Sequence, residues 1–260
     1  MSHSLSKLPH HEVHFDRIMV AEDVQIVASD QEVIQALGAL LQVISNDAIA
    51  ARGKFTVGVS GGSLISFLTK CLPKLNTDFT KWVLAFCDER VVPFDDCEST
   101  YGTYRKAFCD SGLLKPDQFI AIDPNLNVHD AAKDYAERLA KVFPSADLPS
   151  FDVLLLGMGP DGHTCSLFPD HPGLKIDDVW VAAVENSPKP PPNRVTLTYP
   201  VINNSANCIF ALSGAGKADV VKRILDDGEK LPSRLVQPTN GKLVWILDEA
   251  AASKLKPRSS

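Results

Sequence analysis

No two of the six cysteines (Cys71, Cys87, Cys97, Cys109, Cys165 and Cys208) stand at C-x-x-C spacing. That removes the usual sequence form of a structural zinc site or a redox couple and points to reduced thiols in a cytosolic protein. An excess of basic charge is also missing, because 26 Lys+Arg face 32 Asp+Glu for a formal net charge of -6. Nucleic acids and anionic membranes favour basic surfaces, so neither is expected as the main partner, and an anionic substrate would need a local basic pocket. No continuous apolar run approaches the roughly 20 residues that span a bilayer. Residues 1–17 carry three Ser and four His but no apolar core of a signal peptide. Residues 1–20 are therefore expected to be a flexible tail, and its histidines His3, His10, His11 and His14 are given no role. Internal repeats and low-complexity blocks are lacking too.

What is present is enough apolar material, 45% of 260 residues, to bury a full core. Residues 21–260 read as a single catalytic α/β domain. From Val24 onward short apolar runs alternate with helical patterns, the form of a mainly parallel sheet. Strands are predicted at 25–28, 55–59, 83–86, 153–156, 209–212 and 243–247. Most lack polar alternation, as strands covered by helices on both faces do. A first helix follows the capping-box pair Ser29 and Glu32, with Val33, Leu37, Leu40, Leu41 and Ile44 on one stripe. Others are predicted at about 64–72 and 130–142.

The informative residues come directly after four of these strands: Ser60-Gly61-Gly62-Ser63, Asp88-Glu89-Arg90, Gly157-Met158-Gly159-Pro160-Asp161-Gly162-His163 and Ser213-Gly214-Ala215-Gly216-Lys217. Ligands of open α/β sheets bind at the carboxyl ends of the strands, so parallel strands would bring all four clusters to one edge. Ser60–Ser63 joins a strand to a helix, where backbone N–H groups favour an anion such as phosphate. The same segment, Gly58-Val59-Ser60-Gly61-Gly62, also fits the G-x-S-x-G nucleophile elbow, so Ser60 competes as a serine-hydrolase nucleophile with an Asp and His163. Gly157–Gly162 matches G-x-G-x-x-G with Asp177 about 20 residues on. A dinucleotide fingerprint must open a long helix, however, and Pro169 and Pro172 leave no room for one. His163 beside Asp161 suits acid/base work instead, since imidazole changes charge near neutral pH.

Arg194 and Lys217 could each contact phosphate, the first bidentately and the second as a point charge. The run Ser187-Pro188-Lys189-Pro190-Pro191-Pro192 is expected to be extended, and it reads as a rigid connector in preference to a pocket wall. Its P-x-x-P pattern gives weak support to an SH3-type contact. Asp161, His163, Cys165 and His171 crowd together, yet their spacing fits no standard zinc pattern, and no metal is expected.

Taken together, Ser60–Ser63, Asp88–Arg90, the stretch from Gly157 through His163 to Pro169, and Arg194-Val195-Thr196-Leu197-Thr198 resemble the 6-phosphogluconolactonase family. The resemblance runs from about Val24 to Lys256, and the proline run looks like the animal members in particular. The related glucosamine-6-phosphate deaminases carry a similar D-G-H motif, but Thr164–Pro169 looks like the lactonase branch. Tyr199 departs from the pattern where an apolar residue is expected. The resemblance implies a three-layer α/β/α, Rossmann-like fold similar to that of the deaminases. It also implies no metal or organic cofactor and hydrolysis of 6-phospho-D-glucono-1,5-lactone in the oxidative pentose phosphate pathway. His163 would be the general base, Arg90 would lie near the lactone carboxyl end, and Asp88 and Asp161 would support the site. Ser60, Gly61, Gly62, Ser63, Arg194 and Lys217 would hold phosphate. Direct attack by water is the expected chemistry. The rival readings are a serine hydrolase acting through Ser60, an amino-sugar-phosphate deaminase, and a catalytically silent sugar-phosphate sensor.

Overall fold

In the computed structural model, residues 22–144 and 146–257 are described, so the expected tail over residues 1–20 lies outside the described residues. In chain order the first half forms β1 (Glu22–Val27), α1 (Asp30–Arg52), β2 (Phe55–Val59), α2 (Ser63–Cys71), β3 (Trp82–Phe86), β4 (Asp88–Arg90), α3 (Thr100–Cys109), β5 (Phe119–Ile120) and α4 (Val128–Val142). The second half forms β6 (Val153–Leu156), β7 (Val181–Val184), β8 (Arg194–Leu197), α5 (Tyr199–Asn203), β9 (Asn207–Leu212), α6 (Ala218–Leu225), β10 (Lys242–Asp248) and α7 (Glu249–Ala252).

Seven strands make one sheet in the order β1-β10-β9-β6-β2-β3-β5, with every neighbouring pair parallel. Helices flank it, giving the α/β architecture expected from the alternation of apolar runs. The inner strands β2 and β6 are buried at every position, so they meet core on both faces; the one polar side chain among them, Thr56, donates its hydroxyl to Asp152 at 2.9 Å. At the edge, β1 is partly exposed, with Ile26 47% accessible.

Helix α1 begins where expected. Ser29 caps it by accepting from the Glu32 N–H, while the Glu32 carboxylate accepts from Ala28 N–H, one residue earlier than a capping box requires. By length and composition α1 could cross a membrane. Its residues Val33, Ile34, Leu37 and Leu41 are nevertheless buried, and it packs against α2, β2, β9 and β10 as a core helix does. Helix α4 starts at Val128, two residues before the predicted start, because Asn127 accepts from the N–H groups of His129 and Asp130. Tyr199 finds a partner for its hydroxyl in the Pro232 carbonyl, 3.0 Å away.

The sequence reading does not anticipate the second sheet, an antiparallel one in the order β4-β8-β7. Strand β4 is Asp-Glu-Arg, a composition with no strand preference. It forms because Cys87 joins the sheets, its N–H donating to the Val59 carbonyl and its carbonyl accepting from Leu197 N–H. Tyr135 of α4 holds the end of β3 from the other side. Its buried hydroxyl accepts from Phe86 N–H at 2.6 Å and donates to the Phe86 carbonyl at 2.9 Å. Tyr135→Phe is expected to leave both backbone groups without that partner and to cost about 1–3 kcal/mol. Urea unfolding should report this as a lower midpoint with an unchanged slope.

Candidate active site

Strand order reverses at β2. The chain adds β3 and then β5 on one side of β2, then places β6 on the other side and continues through β9 to β10. The crevice between the carboxyl ends of β2 and β6 is therefore the topological switch point, where ligands of open α/β sheets bind. Ser60–Ser63 leaves β2 and Gly157–His163 leaves β6. The two loops nearly touch, since a Cβ on Gly157 would stand 4.0 Å from the Gly61 carbonyl oxygen.

The β6 loop is bonded back onto itself. Gly159 N–H donates to the His163 carbonyl at 2.9 Å, Thr164 Oγ1 donates to the Gly157 carbonyl at 2.8 Å, and Ser233 donates to the Gly162 carbonyl through both N–H and hydroxyl. Two residues beyond His163, Cys165 sits at φ 51°, a left-handed conformation that a non-glycine residue adopts only under surrounding constraint. The loop aims His163 Nδ1 at Asp161 Oδ1, 2.5 Å away.

A third group joins them. Lys189 Nζ lies 3.3 Å from Asp161 Oδ1 and 3.1 Å from His163 Nδ1. One imidazole nitrogen cannot donate to Asp161 and accept from Lys189 at once. The arrangement that satisfies all three has Nδ1–H and the ammonium both donating to Oδ1, which leaves the Nε2 lone pair free. Burial is the largest influence lowering the His163 pKa below its usual value, with Lys189 adding to it and Asp161 and Asp88 opposing. For Asp161, burial pulls upward, but the His163 hydrogen bond and charge together with Lys189 outweigh it and hold the carboxyl below its usual range.

Lys189 corrects the reading of Ser187–Pro192 as a plain connector. The loop is a wall of the site, and Arg194 holds it there. Arg194 is buried, with Nε donating to the Pro191 carbonyl and Nη2 to the carbonyls of Lys189 and Pro190, so those donors are occupied by protein and not open to phosphate. Phe168 links the parts, its ring 4.7 Å from the His163 ring and 5.5 Å from the Arg194 guanidinium carbon. A lysine flanked by prolines was the available signal, because such a run has few conformations to lose when it is ordered.

The other candidates divide. Lys217 Nζ donates to the Met158 carbonyl at 2.5 Å, on the Asp161 side of the site, and burial followed by the charge of Lys189 lowers its pKa. Asp88 is tied to Ser166 Oγ at 2.8 Å and so braces the segment after His163. Arg90 pairs with Glu98 at 3.0 Å and stands opposite Arg194 in the β4–β8 register, and its Nε is buried without a partner. Glu89 caps α3, accepting from the N–H groups of Arg90, Thr100 and Tyr101, and burial pushes its pKa up to about 7.

Ser60 Oγ is buried and has no hydrogen-bond partner, so His163 does not reach it. Among the described non-glycine residues only Cys165, Asp170 and Asn186 have positive φ, so Ser60 also lacks the backbone strain of a nucleophile elbow. Gly62, at φ 72°, caps α2 with no side-chain acceptor for its first N–H groups. His171 is turned away from His163, accepting from Gly173 N–H at Nδ1 and facing the Glu185 carbonyl at Nε2. Among the described residues no three His, Cys, Asp or Glu converge on one point. A cleft of about 880 Å³ borders Asp161 and is lined further by Pro169, His171, Lys175 and Pro232, without His163.

Gly159 leaves no room for a side chain, because a Cβ there would fall 2.1 Å from His163 Nδ1 and 2.6 Å from Asp161 Oδ1. Gly159→Ala is expected to break the His163–Asp161 hydrogen bond while the sheet stays folded. The check is loss of the downfield Nδ1–H proton resonance beside an intact far-ultraviolet circular dichroism spectrum.

A family described as glucosamine-6-phosphate isomerases/6-phosphogluconolactonase matches residues 28–245. The 6-phosphogluconolactonase of Homo sapiens is 49% identical over 240 residues, covering 89% of this chain and 93% of that one. The probable 6-phosphogluconolactonase of Drosophila melanogaster is 46% identical over 232 residues, covering 88% and 93%. Among solved structures, 6-phosphogluconolactonase from Trypanosoma cruzi superposes with a TM-score of 0.81 at 25% identity, over 93% of this chain and all of that one. The DGH loop at the switch point thus sits in a chain that belongs to the glucosamine-6-phosphate isomerase/6-phosphogluconolactonase family, as an enzyme of its lactonase branch.

Proposed function

We propose that this chain hydrolyses 6-phospho-D-glucono-1,5-lactone to 6-phospho-D-gluconate, the second step of the oxidative pentose phosphate pathway, with His163 activating the water. One observation carries this: His163 Nδ1 stands 2.5 Å from Asp161 Oδ1, the contact expected of a neutral imidazole that keeps its proton on Nδ1 and its lone pair on Nε2. Lowering of the imidazole pKa keeps His163 neutral, and therefore basic, at pH 7.

In the proposed reaction, Nε2 takes a proton from water as its oxygen bonds to the lactone carbonyl carbon. The carbonyl becomes an oxyanion, which we assign to the partly exposed guanidinium of Arg90. Collapse of the intermediate breaks the bond to the ring oxygen, and the imidazolium returns its proton to that oxygen. The new carboxylic acid ionises to solvent. Asp161 stays ionised and stabilises the imidazolium when it forms.

The phosphate is assigned to the first turn of α2, where Gly61, Gly62 and Ser63 offer N–H groups beside the unpartnered Ser60 hydroxyl. Lys217 supplies positive charge nearby. Such contacts are remote from the bond that breaks, so they position the carbonyl and leave its activation to His163. All six cysteines are free thiols, in keeping with a cytosolic enzyme.

His163→Ala is expected to lower kcat by about 10²–10⁴-fold, measured against lactone opening in buffer alone and without added metal. Ser60→Ala should raise KM with little change in kcat. An equally inactive Ser60→Ala, with an acyl-enzyme trapped from wild type, would transfer the reaction to the serine-hydrolase rival. Release of ammonia from an amino-sugar phosphate would favour the deaminase, and 6-phosphogluconate binding without turnover the sensor. In wild type the acid limb of kcat/KM should fall below the ordinary imidazole value of 6.5. The sign follows from a base that stays unprotonated to lower pH than a free histidine.

A further inference from the structure

Lys189 belongs to none of the strand-end clusters, yet its ammonium is within 3.3 Å of both members of the His163–Asp161 pair. We infer that Lys189 is a positioning residue for the reaction, held by the proline loop so that its charge keeps Asp161 on the Nδ1 side and the imidazole neutral with Nε2 free. The inference rests on the reading of His163 as the base.

The loop is built to hold one side chain in place. Arg194, itself buried, bonds three consecutive carbonyls, those of Lys189, Pro190 and Pro191. Ser187 N–H closes the loop onto the Pro192 carbonyl at 3.0 Å, and Ser187 Oγ accepts from Lys189 N–H at 3.3 Å. A lysine confined in this way loses less freedom at the site than one on a free strand would.

Every charge around His163 enters the balance. Asp161 on its own loop and Asp88 on β4 both favour the imidazolium, whereas Lys189 opposes it. Lys217, from the loop after β9, is repelled by Lys189 and attracted by Asp161. Arg194 is separated from the imidazole by the Phe168 ring. Removing Lys189 therefore leaves the charges of Asp161, in contact with the ring, and of Asp88 without the one cation that touches the ring among the described residues. The imidazole would then charge at a higher pH, with a smaller fraction in the proton-accepting form at any given pH.

The experiment is an imidazole ¹⁵N titration of His163 in the full-length protein, with Lys189→Met, Lys189→Gln and Lys189→Arg beside wild type. The resonance is assigned by its absence in His163→Ala. Thermal melts identify which variants are folded, and the two neutral substitutions duplicate each other in case one is not. Folded Lys189→Met or Lys189→Gln should raise the His163 pKa by about one pH unit, and Lys189→Arg should keep it near wild type. The acid limb of kcat/KM should move by the same amount, so the loss of rate is greatest at low pH and shrinks as pH rises. An unmoved His163 pKa in a folded neutral variant overturns the inference, as does a pH-independent rate loss carried by KM, which would make Lys189 a substrate ligand. A raised His163 pKa with an unmoved rate limb supports the effect of Lys189 and removes only the assignment of His163 as base.

Discussion

Parallel pairing of β2 with β6 is the constraint from which the site follows. It points both strands the same way at neighbouring places in the sheet, with Val59 opposite Leu155. The loops that leave them must therefore open into one crevice. Because the chain then builds outward in opposite directions from this pair, no helix crossover covers the crevice from above. Apart from Thr56, which bonds Asp152, the residues inside these two strands have no polar side chain. Their work is to hold two loop origins one strand spacing apart, about 4.8 Å.

Around that crevice, the buried charges of Glu89, Arg194 and Asp88 are answered by hydrogen bonds. Glu89 accepts three N–H donors, two of them in the first turn of α3. Arg194 donates to three carbonyls, and Asp88 accepts from Ser166. Each contact immobilises a segment: the start of α3, the proline loop that carries Lys189, and the residues following the DGH motif. The small antiparallel sheet is the frame for this arrangement. By setting Arg90 opposite Arg194 it brings two like charges together. Such a pair is unfavourable unless anions lie nearby, and Asp88, Glu89 and Glu98 all act on Arg194.

Legibility differed by kind of residue. Strands 55–59 and 153–156 were read with the bounds the structure gives them, because short, mainly apolar runs that end in a glycine-containing loop have few alternatives. The absence of a long helix after Gly162 was also legible, since prolines exclude one through covalent geometry. Strand β4 was not legible. Its Asp-Glu-Arg sequence becomes extended only because β8, about a hundred residues away in the chain, supplies the hydrogen bonds. The loop-holding contacts of Arg194 and the place of Lys189 beside Asp161 and His163 were not legible for the same reason. A charged side chain advertises its charge in the sequence, whereas its partner is chosen by packing.

The sequence by itself determined the alternation of strands and helices, the parallel class of the sheet, the clustering of chemistry at strand ends, and the juxtaposition of Asp161 with His163. All of these depend on local pattern, glycine and proline geometry, or residues two apart in the chain. Tertiary structure alone decided that a lysine from the proline run would complete that pair. It also decided that Arg194 would hold a loop in place and that Ser60 would stand apart from any base. These outcomes depend on which segments meet across the crevice, and they are decided by the burial and hydrogen bonding of the whole chain.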